Sequence, residues 1–340
     1  MKPLVGPGAE GRLLIVKLSS LGDVIHAMPV VHDLHAAAPC LHIDWVVEPG
    51  FAPLVRRVAG IGRVVECAQR RWRRQGWLRG AFDAGVRAEK RAFRDTLRAE
   101  AYDAVIDLQG LTKSALVARQ ARLAPSGERI AMANRTEGSG YEPPTRWVAD
   151  RAIAIEPHIH VVDRSREVCA RALGYAVQGP PVFGLRARPV AVARRTVALV
   201  HGTSRDDKLW PEAHWVALGQ RLVDSGFALA LPQGSAEEAR RAERLAAALG
   251  PANATCWPAM SLDALTDHLA ACAGVVGVDS GLSHLAVALD LPHVQLYNFP
   301  TAWRTGPLPE HGHAHQRSVG GASVPTVDSV WAAWQAVVQA

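Results

Sequence analysis

At 340 residues the chain is too long for one ordinary core, and two domains of about 150 residues each are expected. Hydrophobic residues at 49% and charged residues at 21% describe a globular protein, and no stretch approaches the roughly 20 apolar residues of a membrane span. The net charge of +6 is concentrated: residues 56–98 hold 13 basic and 4 acidic residues, a local +9 that leaves −3 elsewhere and should face something anionic. Five scattered cysteines (Cys40, Cys67, Cys169, Cys256 and Cys272) lack CxxC spacing and read as free thiols of a reducing compartment, with no disulfide framework. Residues 1–11 carry one Lys and no long apolar core, so no signal peptide is expected and the cytoplasm is the expected location.

The apolar run at 13–16 predicts a buried strand. Ser19, Ser20, Gly22 and Asp23 break it, and Val24, Met28 and Val31 then recur at helical spacing. A strand that feeds a polar turn and then a helix exposes N–H groups and a carboxylate at the carboxyl end of a sheet, where open α/β sheets hold ligands. Ser20 or Asp23 can equally be no more than the helix cap. Further strands are expected at 42–48, 63–67, 102–110 and 128–133, and helices at 51–58, 83–100, 112–123 and 160–173. Residues 69–74, Gln-Arg-Arg-Trp-Arg-Arg, read as an arginine-rich loop, and 134–150 as another loop.

The Gly- and Pro-bearing segment 174–189 reads as a linker. Beyond it the alternation restarts, with strands at 196–201, 227–231, 254–257, 274–278 and 293–296. Helices are expected at 212–225, 235–249, 262–271, after 279–284, and at 327–338. Two such blocks imply an α/β protein of two doubly wound domains, a class that commonly binds ligand between its domains.

Four stretches could carry chemistry. The first is the turn at Asp23. The second is Arg70, Arg71, Arg73 and Arg74 around Trp72: a solvated surface, or guanidinium forks for phosphate and carboxylate. The third is 201–211, where Thr203, Ser204 and Lys208 follow a strand; an ordinary polar turn containing Asp206 and Asp207 is the alternative to a phosphate site. It is not a P-loop, because GxxxxGK[ST] is absent. The fourth is Gly277-Val-Asp-Ser-Gly-Leu-Ser-His284, a strand opening a helix through small residues. An anion can approach such a helix start, although Asp279 can be a simple N-cap and His284 an ordinary helix histidine. His311, His313 and His315 lie in a Gly-bearing loop with no carboxylate pair nearby in sequence, so no metal is expected. Gly-x-Gly-x-x-Gly is absent after the first strand, which argues against the usual dinucleotide site.

Together these stretches resemble a known family. Lys17-Leu-Ser-Ser-Leu-Gly-Asp23, Asp44-Trp-Val-Val-Glu48, Arg70-Arg-Trp-Arg-Arg74, Asp107-Leu-Gln-Gly110, Arg205-Asp-Asp-Lys-Leu-Trp-Pro211 and Asp279-Ser-Gly-Leu-Ser-His284 occur in the family's order. The chain is similar over nearly its whole length, from Arg12 to about Gln339, to the ADP-heptose:lipopolysaccharide heptosyltransferase I family. The resemblance implies a GT-B fold of two Rossmann-like domains facing across a cleft: 1–176 for the acceptor, 177–325 for ADP-heptose, and a terminal helix 326–340 crossing back to the first domain. It implies inverting, metal-independent transfer of L-glycero-D-manno-heptose from ADP-heptose to Kdo-lipid A in lipopolysaccharide inner-core biosynthesis. No cofactor is implied, and the enzyme would work as a monomer at the cytoplasmic face of the inner membrane.

On that resemblance Asp23 is the base that takes the proton from the acceptor hydroxyl. Lys208 and the helix start at Ser280, Gly281 and Leu282 stabilise the leaving diphosphate. Asp279 contacts heptose hydroxyls with His284 in support; Thr203 and Ser204 bind phosphate, Met260 the adenine, and Glu238 the ribose. Ser19, Ser20, Gly22, Gln109 and arginines 70, 71, 73 and 74 hold the acceptor. Two positions depart from the pattern: Ser280 where relatives often have Thr, which keeps the hydroxyl, and Gln233 where Trp is common. Heptosyltransferase II, which adds the second heptose, is the alternative, but the Asp-Trp-Val-Val-Glu and Arg-Arg-Trp-Arg-Arg runs favour the first. A nucleic-acid-binding protein would need a helix-turn-helix, zinc-finger or RNP pattern, and none is present. A nucleotide-sugar epimerase of the same fold leaves the Arg-Trp cluster without a purpose.

Overall fold

A computed structural model describes residues 4, 6, 8, 10–74, 83–191 and 195–339. The chain divides into two compact units, Met1–Gly184 and Leu185–Ala340. The extension 1–11 and the basic stretch 56–98 therefore lie partly outside the described residues.

The first unit is built on six parallel strands: β1 (Gly11–Val16), β2 (Leu41–Val47), β3 (Ile61–Glu66), β4 (Ala101–Asp107), β5 (Arg122–Met132) and β6 (Arg151–Ile153). They lie side by side in the order β3-β2-β1-β4-β5-β6. β1 is central, and Leu13, Leu14, Ile15 and Val16 are all wholly buried. That is why it reads as an unbroken apolar run: a parallel strand covered by helices on both faces has no solvent side. Its last residue, Val16, pairs with Val46 and Asp107, so the chain leaves β1 beside the carboxyl ends of β2 and β4.

The second unit repeats the plan with β7 (Thr196–Val200), β8 (Ala228–Leu231), β9 (Ala254–Cys256), β10 (Gly274–Val278), β11 (His293–Tyr297) and β12 (Gln316–Gly320). Their order is β12-β11-β10-β7-β8-β9, again with every pairing parallel. In each unit the strand order reverses between the first strand and the fourth. Helix connections then leave on opposite faces, and a crevice opens outside the carboxyl ends of that pair. The pairs are β1 with β4 and β7 with β10.

Most expected elements are present, and the differences have physical causes. β6 and β12 are edge strands absent from the sequence reading: one is three residues long, and the other, Gln-Arg-Ser-Val-Gly, is polar because one side meets solvent. Residues Gln69–Arg74, expected as a loop, are a short helix. Its one apolar residue, Trp72, leans on Phe93 at 5.7 Å, so a single aromatic anchors the turn against helix Ala84–Arg98. The boundary expected at 176/177 falls at 184/185, because residues after helix Val161–Leu173 pack back on the first unit. Buried Arg166 donates to the carbonyls of Gln178 and Gly179, and Gly184 accepts from the Ala59 N–H at 2.9 Å. The terminal helix, Val327–Val337, places Val330, Trp334 and Val337 in the core of the second unit.

One glycine is needed for the site. A Cβ at Gly277 of β10 would strike Ser283 Oγ and approach Val200 Cβ to 2.9 Å. Helix Gly281–Ala288 can lie this close to the strand it follows only because position 277 has no side chain.

Candidate active site

In the first unit the turn after β1 gathers four of the expected residues. Ser20 is the N-cap of helix Leu21–His26, and Asp23 sits in its first turn. Asp23 Oδ2 accepts from the Ser20 N–H at 3.0 Å and the Ser20 hydroxyl at 2.7 Å, so it does cap the helix. Its other oxygen is 3.8 Å from the Lys17 ammonium, and the side chain is 38% exposed. Burial alone would raise its pKa, but Lys17, the Ser20 hydrogen bonds and Arg164 lower it below the usual carboxylate value. Asp23 is therefore ionised and reachable, the state a base requires. Lys17 is buried and donates to the Leu108 carbonyl at 2.9 Å, and burial pushes its own pKa down to about 8. Gly22 lies within the helix's first turn, and buried Ser19 precedes its N-cap.

Gln109 is present at this turn but differently employed. Its Oε1 accepts from the N–H groups of Leu18 and Ser19 at 3.0 and 3.1 Å, so that carbonyl holds the loop rather than a substrate. Asp107, at the end of β4, accepts from the N–H groups of Gln109 and Gly110 and the hydroxyl of Ser114. Burial raises its pKa to about 6.

The four arginines separate. Arg71 Nη2 and Trp72 Nε1 both donate to Glu89 Oε2, at 2.6 and 3.0 Å, which turns Arg71 toward helix Ala84–Arg98. Arg70 stacks 5.7 Å over Phe51, and its backbone N–H donates to Glu48 Oε1 at 2.9 Å. Arg73 and Arg74 are exposed. The sequence reading omitted Lys113, whose ammonium donates to Ser19 Oγ at 3.3 Å. Burial first, then the cationic fields of Arg70 and Arg73, lower its pKa. Arg70, Arg73 and Lys113 thus form one positive field by the Ser19–Asp23 turn. The signal for Lys113 was a lysine opening the helix after Asp107-Leu-Gln-Gly110.

In the second unit, the carboxyl ends of β7 and β10 bring the third and fourth stretches together. Lys208 Nζ donates to Asp279 Oδ2 at 2.6 Å, and Asp279 Oδ1 lies 3.4 Å from His284 Nε2. Thr203 Oγ1 donates to the Asp279 carbonyl at 3.2 Å. Burial would raise the Asp279 carboxyl, but His284 and Lys208 reverse this and hold it well below the usual range. Ser280 is the N-cap of helix Gly281–Ala288, yet its hydroxyl makes no cap bond and is a buried polar atom without a partner. An orphan hydroxyl at a helix start, beside a lysine and the free N–H groups of Gly281 and Leu282, is a place for an anionic oxygen. Ser204 is exposed on the same loop, where Arg205 pairs with Asp207 and Asn298 Nδ2 holds the Asp207 and Leu209 carbonyls at 2.9 Å each.

Glu238 lies against Gly202 and accepts from the Gly234 N–H at 2.6 Å, at the same edge of the sheet. Met260 is partly buried beyond β9, two strands from β7. Gln233 donates to the Trp257 carbonyl at 2.9 Å and so ties the β8 and β9 loops.

The family model for glycosyltransferase family 9 (heptosyltransferase) matches residues 90–319. This chain belongs to glycosyltransferase family 9.

Lipopolysaccharide heptosyltransferase 1 of Escherichia coli K12 is 43% identical over 293 residues, 84% of this chain and 87% of that protein. Lipopolysaccharide heptosyltransferase 2 of the same strain is 25% identical over 312 residues, 87% of this chain and 85% of that protein. The structure of E. coli heptosyltransferase WaaC with ADP-2-deoxy-2-fluoro heptose superposes with a TM-score of 0.77 at 38% identity, covering 96% of this chain and 98% of that one. The chain is thus a glycosyltransferase with the two-domain α/β fold of its family. Among the described residues no helix is long and apolar enough to cross a membrane.

Proposed function

We propose that this enzyme transfers L-glycero-D-manno-heptose from ADP-heptose to Kdo-lipid A, with inversion, as a step in building the lipopolysaccharide inner core. What carries the reading is the cluster of Lys208, Asp279 and the unpartnered Ser280 hydroxyl, in a chain far closer to heptosyltransferase 1 than to heptosyltransferase 2. On this reading the second unit holds the donor. The diphosphate lies on Ser280 and the helix start, with Thr203 and Ser204 beside it, Asp279 and His284 toward the heptose, and Glu238 and Met260 toward the nucleoside.

Asp23 takes the proton from the acceptor hydroxyl. The resulting oxygen attacks the anomeric carbon as the bond to the β-phosphate oxygen breaks, and ADP leaves with that electron pair. The departing charge is met by the Lys208 ammonium, which Asp279 positions, and by the N–H groups of Gly281 and Leu282. No metal takes part in this account. Lys113, Arg70 and Arg73 supply the cations for an acceptor rich in carboxylate and phosphate, and arginines 71 and 74 belong to the outer part of the same field. That field suits work at the anionic cytoplasmic face of the inner membrane.

The deciding assay offers ADP-heptose with Kdo-lipid A, or with the same acceptor already carrying one heptose. Transfer to the first and not the second is expected; the reverse preference assigns the chain to the second addition. Lys208→Ala is expected to lower kcat by about 10²–10³-fold. An unchanged rate and donor KM would remove Lys208 from the leaving-group site.

A further inference from the structure

At the opposite edge of the second sheet lies a group of residues that the transferase reaction does not use. Asp290 stands in the turn between helix Gly281–Ala288 and β11, and His313 and His315 lead into β12. Glu310 is the one carboxylate near these histidines in sequence; the parallel pairing of β11 with β12 brings a second, Asp290, to them. Asp290 Oδ1 is 2.8 Å from His313 Nδ1 and 2.9 Å from His315 Nε2, and the three ligand atoms lie within 4.8 Å of one another.

The backbone holds this arrangement before any ligand arrives. His315 offers its carbonyl to the His293 N–H at 2.9 Å, and the Gln316 N–H bonds the His313 carbonyl at 2.9 Å. Gln316 Nε2 reaches back to the Val287 carbonyl at 3.2 Å, across the turn that carries Asp290. Both imidazoles are three-quarters or more buried, whereas the Asp290 side chain is 61% exposed. The cluster therefore has a fixed floor of two nitrogens and one side open to water.

We infer that Asp290, His313 and His315 form a binding site for a first-row divalent cation, with Zn²⁺ the best fit. Two imidazole nitrogens and one carboxylate oxygen on one small face match the ligand preference of zinc and its neighbours, whereas Mg²⁺ and Ca²⁺ require an oxygen cage. The protein ligands supply three positions and water the fourth. Each ligating nitrogen gives any proton it carries to solvent, and its contact with the carboxylate becomes a shared bond to the metal. The site lies at the amino ends of β11 and β12, whereas Lys208 and Asp279 stand at carboxyl ends of the same sheet. Five strand residues separate the two edges, about 16 Å at 3.3 Å per residue, so the ion touches no reacting atom. Its effect is to pin the turn at Asp290 to the segment before β12.

The test uses the full-length, tag-free enzyme stripped with chelator and titrated with Zn²⁺ by calorimetry, with Co²⁺ absorption as the spectroscopic probe. One equivalent is expected, with a rise in Tm and a Co²⁺ spectrum lacking thiolate charge transfer. Asp290→Asn, which suits the left-handed backbone at φ 56°, and His315→Ala should each weaken binding by more than about tenfold while heptosyl transfer is retained. Retained transfer also shows that these variants fold. No bound equivalent, equal affinity in both variants, or a thiolate band from the cysteines would overturn the assignment.

Discussion

Asp23 holds two jobs in one carboxylate. One oxygen closes the cap on Ser20, and the other faces Lys17. Asp23→Asn keeps the size and part of the cap, so folding and ADP binding should survive while kcat falls by about 10²–10⁴-fold. Steady-state kinetics beside ADP calorimetry checks this; retained turnover would leave Asp23 as a cap only. Lys17 gives a second, independent test. Its charge is one cause of the lowered Asp23 pKa, so Lys17→Met should move the acidic limb of kcat/KM to higher pH. An unmoved limb would mean that the titrating base is another group. Lys17 itself titrates at about 8, below its ordinary 10.5. The unfolded chain therefore binds the extra proton between these values, and this group's contribution to stability increases as pH rises through that window.

Both sites stand where a strand ends and a helix begins, and the second rests on one close approach. Helix Gly281–Ala288 presses Ser283 into the space above Gly277. Gly277→Ala should therefore cost about 1–3 kcal/mol by overpacking. It should weaken ADP binding as well, since relief of the clash lifts the helix start that carries Ser280. Urea unfolding and ADP titration measure the two effects, and an unchanged midpoint would contradict the packing argument. The elements themselves were legible in proportion to their burial. β1, β7 and β10 are buried apolar runs and stand out, as does Ala104-Val-Ile106 within β4, whereas β12 alternates polar residues at an edge and does not. Helix Gln69–Arg74 was hidden for a related reason: it has one apolar anchor and no repeating stripe.

Across the whole molecule charge is unevenly placed, with the excess in residues 56–98 and net acidity elsewhere. Steering an anionic acceptor by such a field weakens as salt shortens the screening length. Acceptor kcat/KM should fall between roughly 0.05 and 0.3 M salt, and Arg70→Glu with Arg73→Glu should flatten that dependence. A slope unchanged by the double variant would place the steering charges elsewhere. The two units share one topology but present different groups at their switch points: the Asp23 carboxylate beside Lys17 in the first, and the unpartnered Ser280 hydroxyl at a helix start in the second.

Sequence alone was enough for the class of fold and the family, because these depend on local order. Strand, turn and helix follow one another within about 20 residues, and Asp23, Lys208 and Asp279 each lie in a short run just after a strand. Tertiary structure decided the partnerships, because they span long separations. Lys208 meets Asp279 across 71 residues, Gln109 turns out to serve the Ser19 loop across 90, and Lys113 joins Ser19 across 94. Trp334 of the terminal helix finds its place in a core made by β-strands far upstream. Asp290 finds His315 only through the pairing of β11 with β12, a juxtaposition that no local pattern encodes.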